Sequence, residues 1–104
     1  MIEARFKGKD EKFEQIFVTG HANYKPHGED IVCAAISTAT IMTANMIEHL
    51  GLQDYILVTM KDGYFKLDVL KEAHLINQVL SNLKYTIIEL EKQYPKYIKT
   101  IKEG

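Results

Sequence analysis

The stretch VLKEAHLINQVLSNLKYTIIELEKQY, residues 69–94, places Leu70, Ala73, Leu75, Ile76, Val79, Leu80, Leu83, Ile87, Ile88 and Leu90 three and four positions apart until Pro95 interrupts it. That spacing predicts a long amphipathic helix, and a helix with so extended an apolar stripe must bury it against a second layer. The residues before it supply one. IEARFKG alternates apolar and polar residues, with Ile2, Ala4 and Phe6 on one face. KFEQIFVTG opens on Phe13, and the turn-rich KGKDEK between the two predicts a β-hairpin. DYILVTM and YFKLD flank KDG, the Asp-Gly signal of a second hairpin. Between the hairpins, Val32, Ala35, Ile36, Ala39, Met42, Met46, Ile47 and Leu50 recur at helical spacing, with Gly51 placed to end the run. The expected fold is therefore α+β, ββαββα, a mainly antiparallel sheet packed with two long helices. The tail KYIKTIKEG alternates too weakly to decide between an edge strand and a frayed end.

A chain of 104 residues is one domain's worth, and such a chain buries roughly 65% of the surface its unfolded form exposes. Residues 1–104 are read as a single domain, without repeats, low-complexity tracts or linkers. Thirteen basic and fourteen acidic side chains give a net charge of -1, so no overall field draws the protein to nucleic acid or to an anionic membrane. The start MIEARFKGKDEKFEQ lacks the apolar core of a signal peptide, and no segment is expected to reach the ~18 apolar residues of a membrane span. A single cysteine forms no intrachain disulfide and fits a reducing compartment; the expected location is cytoplasmic.

That cysteine stands in TGHANYKPHGEDIVCAAISTAT. With Asp30 as N-cap, Ile31, Val32 and Cys33 open the helix, where backbone N–H groups lack intrahelical partners, favour a thiolate and offer a site for an oxyanion. Cys33 lies off the apolar stripe, on a face with Ser37 and Thr40. Free cysteine also packs as a small hydrophobe, so a structural reading stands beside the chemical one. His21, at a strand end, is the candidate base. His27, in mid-loop, is the weaker one, and His49 and His74 are read as structural or solvated. Asp30 caps the helix or orients the imidazole, and Ser37 is a spectator or completes the pocket. A zinc site from His21, His27, Glu29 or Asp30, and Cys33 has suitable ligand types but not the spacing of a tight zinc module. Gly20 and Gly28 are too far apart for a phosphate loop. No cofactor is expected.

The sequence GHANYKPHGEDIVCAAIS resembles the signature of the ribosomal-processing cysteine protease family, called Prp: GHA, a short variable loop, then G-x-D-I-V-C-A-A-[VI]-S. The resemblance extends over essentially the whole chain, although STAT replaces a more apolar continuation. It implies a cysteine endopeptidase with Cys33 as nucleophile and His21 as general base, and Asp30 and Ser37 as supporting residues. It also implies a loop hinged at Gly20 and Gly28 that closes over substrate, and a homodimer. The implied substrate is the precursor of large-subunit ribosomal protein twenty-seven, whose short apolar N-terminal extension is removed. The rival reading is a non-enzymatic ribosome-associated binding module, in which the loop is a recognition surface.

Overall fold

In the computed structural model of the chain, residues 1–26 and 29–104 are described. The elements are β1 (Ile2–Lys9), β2 (Lys12–Thr19), α1 (Ile31–His49), β3 (Ile56–Lys61), β4 (Tyr64–Val69), α2 (His74–Gln93) and β5 (Ile98–Glu103), with a short 3-10 turn at Gln53–Tyr55 before β3. The expected ββαββα order is present. The undecided tail is an edge strand, β5, paired in parallel with β1 from Ile2↔Ile98 to Lys7↔Glu103. The sheet is therefore mixed, in the order β3-β4-β2-β1-β5. β2 pairs antiparallel with β1 and with β4, and β4 with β3, so β2 and β3 run parallel on either side of β4. By the same chain of pairings β4 runs parallel to β5. Each helix is thus the crossover between two parallel strands, which a tight turn cannot connect.

The core lies between the sheet and the helices. Phe6, Ile16, Leu67 and Val58 stand opposite one another across four strands, with Ala4, Val18, Phe65 and Met60 in the next row. Ile16, Leu67, Ile47, Ile76, Leu80 and Ile87 are fully buried. One departure from simple alternation sits in β2, where Phe13, Ile16 and Val18 are all buried although Phe13 and Ile16 are three residues apart. A bulge between Lys7 and Gly8 shifts the pairing from Lys7↔Gln15 to Gly8↔Phe13. The inserted residue lets both side chains face inward.

Three expectations about the helices need correction. In α1 the buried stripe is Val32, Ile36, Thr40, Thr43 and Ile47, while Met42, Met46 and Leu50 are exposed. The threonines can be buried because their hydroxyls bond back to Ser37 O at 3.1 Å and Ala39 O at 2.8 Å. With apolar residues on both faces, α1 is long and apolar enough at 19 residues to cross a membrane by those criteria, contrary to expectation. Here it serves as a crossover helix on the sheet. In α2 the first turn begins only at His74, so Leu70 falls in the preceding bend and Leu75 faces outward. Gly51 does end α1: at φ +75, its N–H bonds Glu48 O and that of Leu52 bonds Ile47 O, the paired C-terminal bonds of a Schellman motif.

Candidate active site

β2 ends at Thr19, and the chain turns sharply at Gly20, whose φ is +98 and whose absent side chain would collide with the carbonyl oxygen of Met1. His21 follows, with its imidazole about half exposed, 48%. Ala22 is buried in the core. Tyr24 stacks edge-on against Tyr94 and Tyr97, at centroid separations of 5.8 and 5.1 Å. The first part of the loop is therefore pinned at Ala22 and Tyr24. His27 and Gly28 lie outside the described residues.

Asp30 is the N-cap of α1, as its sequence position predicts. Its Oδ1 accepts the N–H groups of Val32 and Cys33 at 3.0 Å each, and its Oδ2 accepts that of Tyr24 at 3.0 Å. Burial opposes the charge of this carboxylate, but hydrogen bonds from the N–H groups of Cys33, Tyr24, Lys25 and Val32 together outweigh it, so the Asp30 pKa lies below its usual value. Asp30 joins the loop to the helix through this one side chain. These bonds also correct an expectation: the N–H groups of Val32 and Cys33 are occupied by Asp30, and that of Ala34 by the Asp30 carbonyl at 3.1 Å. They are not free for an oxyanion.

Cys33 is partly buried, with its thiol free. Its Sγ accepts the backbone N–H of Ala22 at 3.3 Å, so the residue after His21 aims a donor at the sulfur. His21, Cys33, Asp30 and Ser37 all line one cleft of about 730 Å³ between the start of α1, the loop and the β3–β4 turn. No hydrogen bond joins His21 to Cys33. The imidazole instead meets the β3–β4 turn, with Nε2 at 4.0 Å from Asp62 Oδ2 and the ring lying over Gly63. Asp62 and Gly63 read in sequence only as a hairpin turn, since nothing in KDG reveals that the sheet order brings it beside the end of β2. The cleft is otherwise apolar in part, with Ile41 from α1 and Met60, Tyr64 and Phe65 from the second hairpin.

His49 and His74 are exposed and do not line the cleft. His49 Nδ1 lies 2.8 Å from Asn45 O at the end of α1, and His74 Nε2 lies 3.4 Å from Gln78 at the start of α2. Among the described residues no three His, Cys, Asp or Glu side chains converge as a metal ion requires.

The family model of the cysteine protease Prp matches residues 1–99. The chain belongs to the Prp family. The ribosomal processing cysteine protease Prp of Bacillus subtilis (strain 168) is 33% identical over 67 residues, an alignment covering 62% of this chain and 60% of that protein. It thus spans less than two thirds of the relative's length. Among solved structures, the essential ribosomal processing protease Prp from S. aureus, in complex with a covalently linked product peptide, superposes with a TM-score of 0.84. Its sequence is 23% identical, with 99% of this chain and 100% of that one covered. SMU.848 from Streptococcus mutans superposes with a TM-score of 0.78 at 27% identity, covering 99% of this chain and 94% of that one. The Prp fold therefore extends over the whole chain, including β5.

Proposed function

We propose that this chain is a cysteine endopeptidase that removes the apolar N-terminal extension from the precursor of large-subunit ribosomal protein twenty-seven, with Cys33 as nucleophile and His21 as general base. The observation that carries the reading is the placement of Cys33: a free thiol at a helix start, accepting the Ala22 N–H, in a cleft that also holds His21. In the reaction the imidazole takes the thiol proton, and the sulfur attacks the scissile carbonyl. The tetrahedral intermediate then expels the amine, which receives the proton from the imidazolium. Water attacks the thioester and restores the thiol. The bond from Ala22 steadies the sulfur before attack, and Asp30, by bonding both Tyr24 and Cys33, fixes the loop that carries the base against the helix that carries the nucleophile.

The partly apolar cleft suits a peptide with large apolar side chains before a small residue. Net charge gives no reason to expect nucleic acid as a direct partner, and cytoplasmic action follows from the proposed substrate. The exposed Ile41, Met42, Met46 and Leu50 form an apolar face on α1, which supports a homodimer. The test is cleavage of a synthetic precursor peptide, followed by mass spectrometry. Release of the apolar segment by the native chain, and none by His21→Ala, is the expected result. An intact peptide under both conditions favours the ribosome-associated binding module.

A further inference from the structure

General-base catalysis needs more of His21 than nearness to the thiol: the ring must be held in orientation while it gains a proton. What meets the exposed ring is a turn some forty residues away, and three contacts converge there. Gly63 O accepts the N–H of Gly20 at 3.0 Å, fastening the residue before His21 to the turn. The Nε2 edge of the imidazole lies so close over Gly63 that a Cβ there would stand 2.7 Å from Nε2, and the φ of +66 also favours glycine. Beside it, Asp62 Oδ2 stands 4.0 Å from Nε2.

We propose that the β3–β4 turn completes the catalytic machinery, with Asp62 as the positioning residue for His21. Its carboxylate faces the Nε2 edge and the charge the ring acquires, which leaves Nδ1 to take the Cys33 proton. The inference rests on the Cys33 and His21 reading above. In the step, the S–H proton moves to Nδ1, the Nε2 proton stays on the ring facing Asp62, and the carboxylate remains ionised. Nδ1 later returns its proton to the leaving amine. At 4.0 Å the contact is an ion pair formed as the ring charges rather than a hydrogen bond already made. The other charged or titratable groups on the same cleft are Lys61, Tyr64, Lys25, Asp30 and Cys33, and the Met1 ammonium donates to the His21 carbonyl at 2.7 Å. Lys61 lies over the Tyr64 ring, 5.2 Å from its centroid. Among the described residues, Asp62 is the acid within ion-pair reach of the imidazole.

The experiment measures kcat and KM for an apolar precursor peptide from pH 5 to 10, and iodoacetamide labelling of Cys33 over the same range, in the full chain and in Asp62→Asn, Asp62→Glu and Gly63→Ala. Asp62 is largely exposed, 77%, so Asp62→Asn should melt with the native chain. Expected for Asp62→Asn is a roughly tenfold fall in kcat with KM little changed, because the imidazolium formed in the step loses its anion. Asp62→Glu should recover part of that fall, and Gly63→Ala should lower kcat by displacing the ring. In His21→Ala, adding Asp62→Asn should leave the labelling rate unchanged, since Asp62 acts through the ring. Unchanged kcat in Asp62→Asn would overturn the proposal, as would a fall that Asp62→Glu does not recover in part. If instead Cys33→Ala still cleaves the peptide, the catalytic reading itself fails, a separate result.

Discussion

The two helices have nearly the same length and begin in opposite ways. α1 starts on Asp30, whose carboxylate holds three backbone N–H groups, one of them from the loop. α2 starts on Ala73, which offers no side-chain bond to the helix N-terminus. Their faces differ as well: α2 buries a clean stripe of Ile76, Leu80, Leu83 and Ile87, whereas α1 sinks two threonines and leaves Met42 and Met46 exposed. α2 is built for the core. In α1 the first turn is built to hold a thiol in place, and packing is shared among its remaining faces.

The largest effect should separate chemistry from packing. Cys33→Ala is expected to abolish peptide cleavage while costing about 1 kcal/mol of stability, the order expected when the buried Ala22 N–H loses its acceptor. Leu80→Ala, fully buried in α2, should do the reverse, losing ~2–5 kcal/mol in urea titration while retaining cleavage in the fraction that stays folded. Residual turnover by Cys33→Ala, or a Leu80→Ala protein as stable as the native one, would break the contrast between the helices.

Most of the architecture was legible because its signals are local. Alternation in residues 2–7, the KDG turn and the three-and-four spacing of α2 each act within one element, and the Asp30 cap is set by the residues next to it. What escaped depends on tertiary choice. The Phe13–Ile16 offset requires a bulge in β2, where Glu14 is left without a partner in β1, and α1 has two competing apolar faces, between which the sheet selects the one carrying Thr40 and Thr43. β5 is defined by pairing with β1, a partner more than ninety positions earlier. At the site, Asp30 and Cys33 stand where helix capping rules put them. Asp62 and Gly63 were invisible as site residues because only the strand order carries the second hairpin to His21.

Removing the cap from α1 should come next in size. Asp30→Ala is expected to cost ~1–2 kcal/mol, since helix N-caps are worth about that much, and to loosen Tyr24 along with the helix start. The pH dependence has a definite sign. The folded-state pKa of Asp30 is lowered, so as pH falls below the ordinary carboxylate range the unfolded chain binds a proton that the folded chain still resists. Stability from this group is therefore present above that range and lost as pH falls through the lowered folded pKa. Urea titrations between pH 7 and 3 should show the acid-side loss reduced in Asp30→Asn. An identical slope in native and variant protein would mean that the Asp30 bonds contribute nothing to folding.

The smallest effect runs in the opposite direction, by giving α2 what α1 already has. Ala73 has φ -154 and ψ 145, the extended backbone of an N-cap residue, and its carbonyl already accepts the first helical bond, from Asn77 N–H at 3.0 Å. Only a side-chain acceptor is missing. Ala73→Ser supplies a small one without crowding the core against which Ala73 packs, and should stabilise the protein by ~0.5–1 kcal/mol. For a domain of this size that corresponds to a rise in Tm of ~2–6 °C. Cleavage should not change, because α2 does not line the cleft. A lower Tm would show that the half-buried hydroxyl finds no N–H to bond and that the site tolerates only an apolar residue. The difference between the two helix starts would then follow from burial at residue 73, and not from a cap that α2 merely lacks.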